Sequence, residues 1–131
     1  MGFVFLAIDK GEAKKLIVAK LEESGIPFVD VGMGVYDADG QLGGQLRTTT
    51  ITPAMREALQ GKKLIDFSDG DENKEYSQNI QIADLNALNA ALAVIRWKKL
   101  LGFYADFGGE YQSIYAINDN SLINEDGRDE T

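Results

Sequence analysis

The chain opens on a run of apolar residues, Phe3-Val4-Phe5-Leu6-Ala7-Ile8, that ends on Asp9 and passes directly into a helical pattern. Six consecutive apolar positions predict a strand covered on both faces, the pattern of parallel sheets layered between helices. From Glu12 to Ser24 the period changes. Ala13, Leu16, Ile17 and Leu21 share one stripe while Lys14, Lys15, Glu22 and Glu23 point elsewhere, which predicts an amphipathic helix. Gly25 stands where a C-terminal cap is expected, and Pro27-Phe28-Val29-Asp30-Val31 returns to strand character after a short connection. The sum is a βαβ unit with parallel strands.

The next stretch is rich in strand formers. Val35-Tyr36 and the segment from Gln41 to Ile51 flank Asp39-Gly40, which supplies the positive-φ positions of a tight hairpin turn. Gly32-Met33-Gly34 relieves a bend before that hairpin, and Gly43-Gly44 reads as a bulge within its returning strand. Thr52 and Pro53 fit the N-cap and first position of a short helix ending near Gly61. Residues 62–80 carry Asp66, Asp69, Asp71, Glu72 and Glu75 without an apolar period and read as an acidic loop. Between Ile82 and Leu101, Leu85, Leu88, Leu92 and Ile95 form a core stripe with alanines beside it, predicting a helix buried nearly all round in its middle. Arg96, Lys98 and Lys99 suit its negative end, and Gly102 stops it. Residues 111–117 read as a last strand, and the polar segment from Asn118 as frayed. The expected architecture is one α/β domain over residues 1–125. It consists of a partial Rossmann-like sheet starting with a parallel βαβ unit, followed by a β-hairpin, an acidic loop, a long buried helix and a final strand. Residues 126–131 are expected to form a flexible acidic tail.

Composition narrows the chemistry. The 131 residues are 44% hydrophobic, enough for one core. Acidic residues outnumber basic ones by 21 to 13, giving a net charge of -8 that disfavours nucleic acid, whose phosphates are bound by Lys and Arg. There is no Cys, so disulfides, thiolate nucleophiles and thiol-bound metals are excluded; with no His, imidazole bases and ligands are excluded as well. No apolar stretch is long enough to span a membrane, and charges at Asp9, Lys10 and Glu12 interrupt the opening run too early for a signal peptide. A cytoplasmic protein is expected.

Asp9 is the leading candidate residue. At the carboxyl end of a strand in an open α/β sheet it would stand where such folds bind ligands, and its carboxylate suits Mg²⁺ on a nucleotide. With Glu12 three residues on, it also matches a capping box for the following helix. Both readings stand. Two segments imitate calcium loops and fail, because Lys74 and Ile80 occupy positions that need Gly and Glu, and Asp37, Asp39 and Gly40 break the spacing. Asn86, Asn89 and Arg96 share a stripe on the long helix, either its wettest side or a contact with another subunit, with Trp97 as an anchor.

Phe3 to Ile8 followed by Asp9, the helix after it, Ile26-Pro27-Phe28-Val29, the glycine-containing hairpin, and Asn79-Ile80-Gln81-Ile82-Ala83-Asp84-Leu85-Asn86-Ala87-Leu88-Asn89-Ala90 together resemble the carboxyl-terminal half of ThiF/MoeB/HesA-type adenylyltransferases. These are relatives of ubiquitin-activating enzymes, and the likeness runs from Phe3 to Glu125. The resemblance implies ATP-dependent activation of the C-terminus of a ubiquitin-like or sulfur-carrier protein, with Mg²⁺ and ATP as cofactors. It places Asp9 at the Mg²⁺ position and puts Asp9, Lys10 and Lys14 beside the nucleotide, Lys10 replacing the family's Asn and Lys14 its Arg. The family's glycine-rich nucleotide loop falls in an amino-terminal half that this sequence does not show, and its thioester-forming members use Cys. The expectation is therefore a partial domain that is inactive alone and pairs with the amino-terminal half of the fold or with a second copy. The alternative is a non-enzymatic protein-binding or dimerisation module.

Overall fold

The opening apolar run and the helix after it do build a parallel βαβ unit. In the computed structural model, which describes residues 2–8, 10–58, 65 and 82–125, β1 (Val4–Leu6) leads through α1 (Gly11–Ser24) to β2 (Phe28–Ala38). The two strands pair in parallel, with Leu6 opposite Asp30. Gly25 ends α1 in the left-handed region at φ 67°, and the Gly25 and Ile26 amides bond back to the Glu22 and Leu21 carbonyls. Asp9, the acidic stretch 62–80 apart from Ile65, and the tail 126–131 lie outside the described residues.

β2 turns at Asp39 and Gly40, whose φ angles are 56° and 86°, into β3 (Gln41–Ile51). The two strands are longer than expected. Gly32-Met33-Gly34 does not separate two elements but lies inside one continuous strand, paired residue for residue with β3. Nor is there a bulge at Gly43-Gly44, since each glycine faces a single partner, Tyr36 and Val35. They are glycines for want of room: a Cβ on Gly44 would collide with the Gly34 carbonyl, and one on Gly43 would meet Asn118 and the Tyr36 ring.

Thr52 caps α2 (Pro53–Ala58) as its sequence predicts, its hydroxyl accepting the Met55 amide at 3.2 Å. α3 (Ala83–Leu100) then leads to β4 (Gln112–Ala116) and β5 (Ser121–Glu125). The segment after Asn118 is thus a strand and not a frayed end. Asn118 accepts the Gly44 amide and donates to the Tyr36 hydroxyl, which ties this turn to the middle of the hairpin. The sheet order is β1-β2-β3-β4-β5, antiparallel from β2 onward, so among the described residues β1 is an edge strand.

The helices cover opposite faces. Leu6, Phe28 and Ile51 project toward α1, where Val18 and Leu21 meet them and Ile65 completes the core. On the other face, Phe5 and Phe3 pack around Trp97 of α3. Each helix is rolled away from its expected stripe. In α1 the buried residues are Gly11, Lys14, Val18 and Leu21, leaving Leu16 69% exposed. In α3 they are Asn89, Ala93 and Arg96, while Leu88 and Ile95 of the leucine stripe are exposed. The long helix is buried along one seam, not nearly all round.

Gly44→Ala is expected to cost about 3 kcal/mol, from its φ of 156° and the backbone collision, whereas Gly34→Ala, with open space around its Cβ, should cost less than about 1 kcal/mol. Urea unfolding of the two variants checks the contrast.

Candidate functional site

A charged residue inside an apolar strand has to find a counter-charge. Asp30 sits in the middle of Phe28-Val29-Asp30-Val31, is 1% exposed, and faces α1 because it shares the face of Phe28. Lys14 reaches it from the first turn of that helix, with Nζ 3.0 Å from Oδ1 and 3.3 Å from Oδ2. The pair lies beside Leu6, at the carboxyl end of β1, where open α/β sheets place their ligands. Opposite Asp30 in the register is Thr49, whose hydroxyl accepts the Gln112 side-chain amide at 3.0 Å. A polar row crosses three strands of the sheet. One register step further, the Arg47 side chain lies over Gly32.

Of the residues selected from sequence, Lys14 is therefore near the strand rim but buried and bound to Asp30, while Lys10 is exposed in the N-cap position of α1 and supplies no side-chain cap. Helix α1 begins at Gly11, which places Glu12 one position short of the capping-box register with Lys10. Lys14 does not point away from the core as the amphipathic reading expected. No group of three or more His, Cys, Asp or Glu able to hold a metal occurs among the described residues. Mg²⁺ does not demand such a group, since it is commonly held by one or two carboxylates with phosphates and water.

The opposite face holds a second cluster. Arg96 enters the sheet side of α3, 6% exposed, and its guanidinium grips Asp106 with both ends, Nη1 to Oδ1 at 3.1 Å and Nη2 to Oδ2 at 2.8 Å. Glu110 lies 3.2 Å from Arg96 and 2.7 Å from Lys99. Asn89, about two helical turns earlier on the same seam, donates to the Gly32 carbonyl, while Asn86 is exposed. Asn89 and Arg96 are accordingly not the wet side of the helix. Below this network, between α3 and strands β3 to β5, is a cleft of about 390 Å³ whose floor includes Thr48, Thr50 and Ser113.

The Arg96 hydrogen bond holds the Asp106 carboxyl below its usual range, against the effect of partial burial and with help from the Gly109 amide. At Glu110 burial alone would raise the pKa, but the Lys99 hydrogen bond, a backbone hydrogen bond and the two nearby cations together bring it below the ordinary value. Beyond the end of α3, Leu101, Phe103 and Phe107 are exposed, with Lys98 stacked over the Phe103 and Tyr104 rings at 5.2 and 5.3 Å.

Sequence reading missed Asp30, Asp106 and Glu110. For Asp30 a signal existed, a lone carboxylate within a buried strand; for the other two none did, because their partners lie across a loop. No known protein family matches the chain, and no curated protein matches it significantly. Among the described residues no helix is long and apolar enough to cross a membrane.

Lys14→Met should cost about 3–5 kcal/mol by leaving a buried carboxylate without its cation, and adding Asp30→Asn should recover part of that loss, as a double-mutant unfolding cycle would show. Because Asp106 and Glu110 ionise more readily folded than unfolded, their stabilisation is complete above the ordinary carboxylate pKa of about 4 and is lost as pH falls through their lower folded values. Acid unfolding followed by circular dichroism should show a shallower pH dependence in Asp106→Asn than in the parent.

Proposed function

We propose that this chain forms the carboxyl-terminal part of an ATP-dependent adenylyltransferase of the ThiF/MoeB/HesA type, which activates the C-terminal carboxylate of a ubiquitin-like or sulfur-carrier protein. The observation that carries the reading is the open edge of β1. A short parallel strand with apolar residues on both faces is an interior strand by composition, yet among the described residues it pairs on one side only. Further parallel strands along that edge, from the same polypeptide or from a partner, would place a nucleotide at its carboxyl end, next to Lys10 and the start of α1.

In adenylylation a carboxylate oxygen bonds to the α-phosphorus of ATP as the bond to pyrophosphate breaks, and Mg²⁺ with nearby cations offsets the phosphate charge. Asp9 would give Mg²⁺ one carboxylate, the phosphates and water completing its shell. Lys10 is the exposed cation at that rim. Lys14 contributes indirectly: held by Asp30, it fixes the roll of α1 and thereby the direction in which the first-turn amides face. With a glycine-rich loop supplied by the added strands, the site is complete; without it, phosphate binding is weak.

The exposed Leu101, Phe103 and Phe107 favour a second reading, a protein-binding or dimerisation module, because apolar groups of this size mark contact surfaces when they cluster.

The test is calorimetry with Mg·ATP together with ATP–pyrophosphate exchange. The chain alone should show no submillimolar binding, whereas the polypeptide or complex that completes the β1 edge, supplied with the carrier protein whose C-terminal carboxylate is adenylylated, should catalyse exchange that Asp9→Ala lowers by about a hundredfold or more. Submillimolar binding by this chain alone that survives Asp9→Ala, or no exchange from the completed sheet, overturns the proposal.

A further inference from the structure

The cleft beneath α3 lies on the face of the sheet opposite α1, and nothing in the adenylyltransferase reading uses it. Its floor is unusual for a buried surface. Thr48 and Thr50, 4% and 0% exposed, both direct side chains to this face, and neither hydroxyl oxygen has a hydrogen-bond partner. Buried hydroxyls are almost always paired, so two neighbours without partners in one cleft call for an explanation. Arg96, also lining the cleft, has its Nε without a partner as well.

The roof shows what kind of group would fit. Lys99 and Arg96 converge on one carboxylate, that of Glu110, with N···O distances of 2.7 and 3.2 Å. Glu110 is carried on a loop directly after Gly108-Gly109, where Gly109 takes φ 60°, a conformation that glycine adopts without strain from a Cβ. Beside the two cations, Leu92 and Ile95 present an apolar wall. A volume of about 390 Å³ falls at the small end of ligand pockets, which span roughly 300–1,000 Å³.

We infer that this cleft binds a small hydroxylated organic carboxylate, whose carboxylate replaces that of Glu110 against Lys99 and Arg96, whose apolar body lies on Leu92 and Ile95, and whose hydroxyl meets Thr48 and Thr50. Glu110 is then the resident occupant of the anion position, an internal competitor held by the same cations. The external ligand has the advantage of satisfying the threonine hydroxyls, which Glu110 leaves unpaired, and of burying its own apolar surface against α3.

Hydroxyphenylacetate and its neutral amide, titrated into the isotope-labelled full chain, test the inference by nuclear magnetic resonance. The acid should shift the amides of Thr48, Thr50, Lys99 and Gly109, and the neutral amide should bind about tenfold more weakly, the difference expected of hydrogen bonds to a charged group. Lys99→Met should weaken the acid by a similar factor, while Glu110→Gln should tighten it by removing the competitor. Thr50→Val should raise the melting temperature of the free protein and still weaken binding, a combination that a purely structural threonine would not give. Equal responses to acid and amide, shifts scattered away from the cleft, or weaker binding in Glu110→Gln would each overturn the inference, and the ligand-free spectrum of every variant establishes that it is folded.

Discussion

A carboxylate buried at the centre of β2 requires a cation, and much of the arrangement on one side of the sheet follows from that requirement. Asp30 is surrounded by Phe28, Val29 and Val31 in sequence and lies between β1 and β3 in the sheet, out of reach of bulk water. Lys14 is the residue that meets it, so α1 must turn its first-turn lysine inward. The rest of the helix follows in register: Gly11, Lys14, Val18 and Leu21 are spaced by three or four residues and form the buried stripe, and Leu16 is turned outward. A hydrophobic stripe has been given up for an ion pair, because an uncompensated buried charge costs more than one exposed leucine.

The other face repeats the logic with different residues. Arg96 goes under α3 and draws Asp106 and Glu110 from the connection to β4, so the loop that follows the helix is held against it by charge. Asn89 ties the same seam to the β2 backbone through the Gly32 carbonyl. The sheet thus has a polar cluster above and below it, one at the carboxyl end of its parallel strand and one over its antiparallel half. The parallel end carries the Lys14–Asp30 pair, whereas the antiparallel half encloses its own cleft. Two functions at two separate places are compatible with this division, since neither cluster shares a residue with the other.

Much of the backbone was legible in the residues. The βαβ unit, the Asp39-Gly40 turn, the Gly25 and Gly102 helix ends and the Thr52-Pro53 helix start all depend on short-range chemistry, namely periodicity, positive φ and capping, which neighbouring residues specify between themselves. The helix rolls were not legible, because they depend on partners far along the chain: Asp30 for Lys14, Gly32 for Asn89, and Asp106 for Arg96. The continuity of β2 and β3 through Gly32, Gly34, Gly43 and Gly44 was hidden for a similar reason, as Gly43 and Gly44, which read as a bulge in isolation, are in the sheet the positions that make room for Tyr36, Asn118 and the facing strand. Likewise the segment beyond Asn118 looks solvated on its own, yet becomes a strand once β4 offers it a ladder.

The amino-acid order by itself determined the kinds of element and their succession as far as β4, and the exclusion of imidazole and thiol chemistry, since these follow from local propensity and from which side chains exist at all. Only the tertiary structure decided which faces are buried, that Lys14 and Arg96 are inside, and that Thr48 and Thr50 line a cleft. Burial of a charge depends on whether a counter-charge arrives from elsewhere in the chain, and that is a property of the assembled sheet and its helices, not of any one segment.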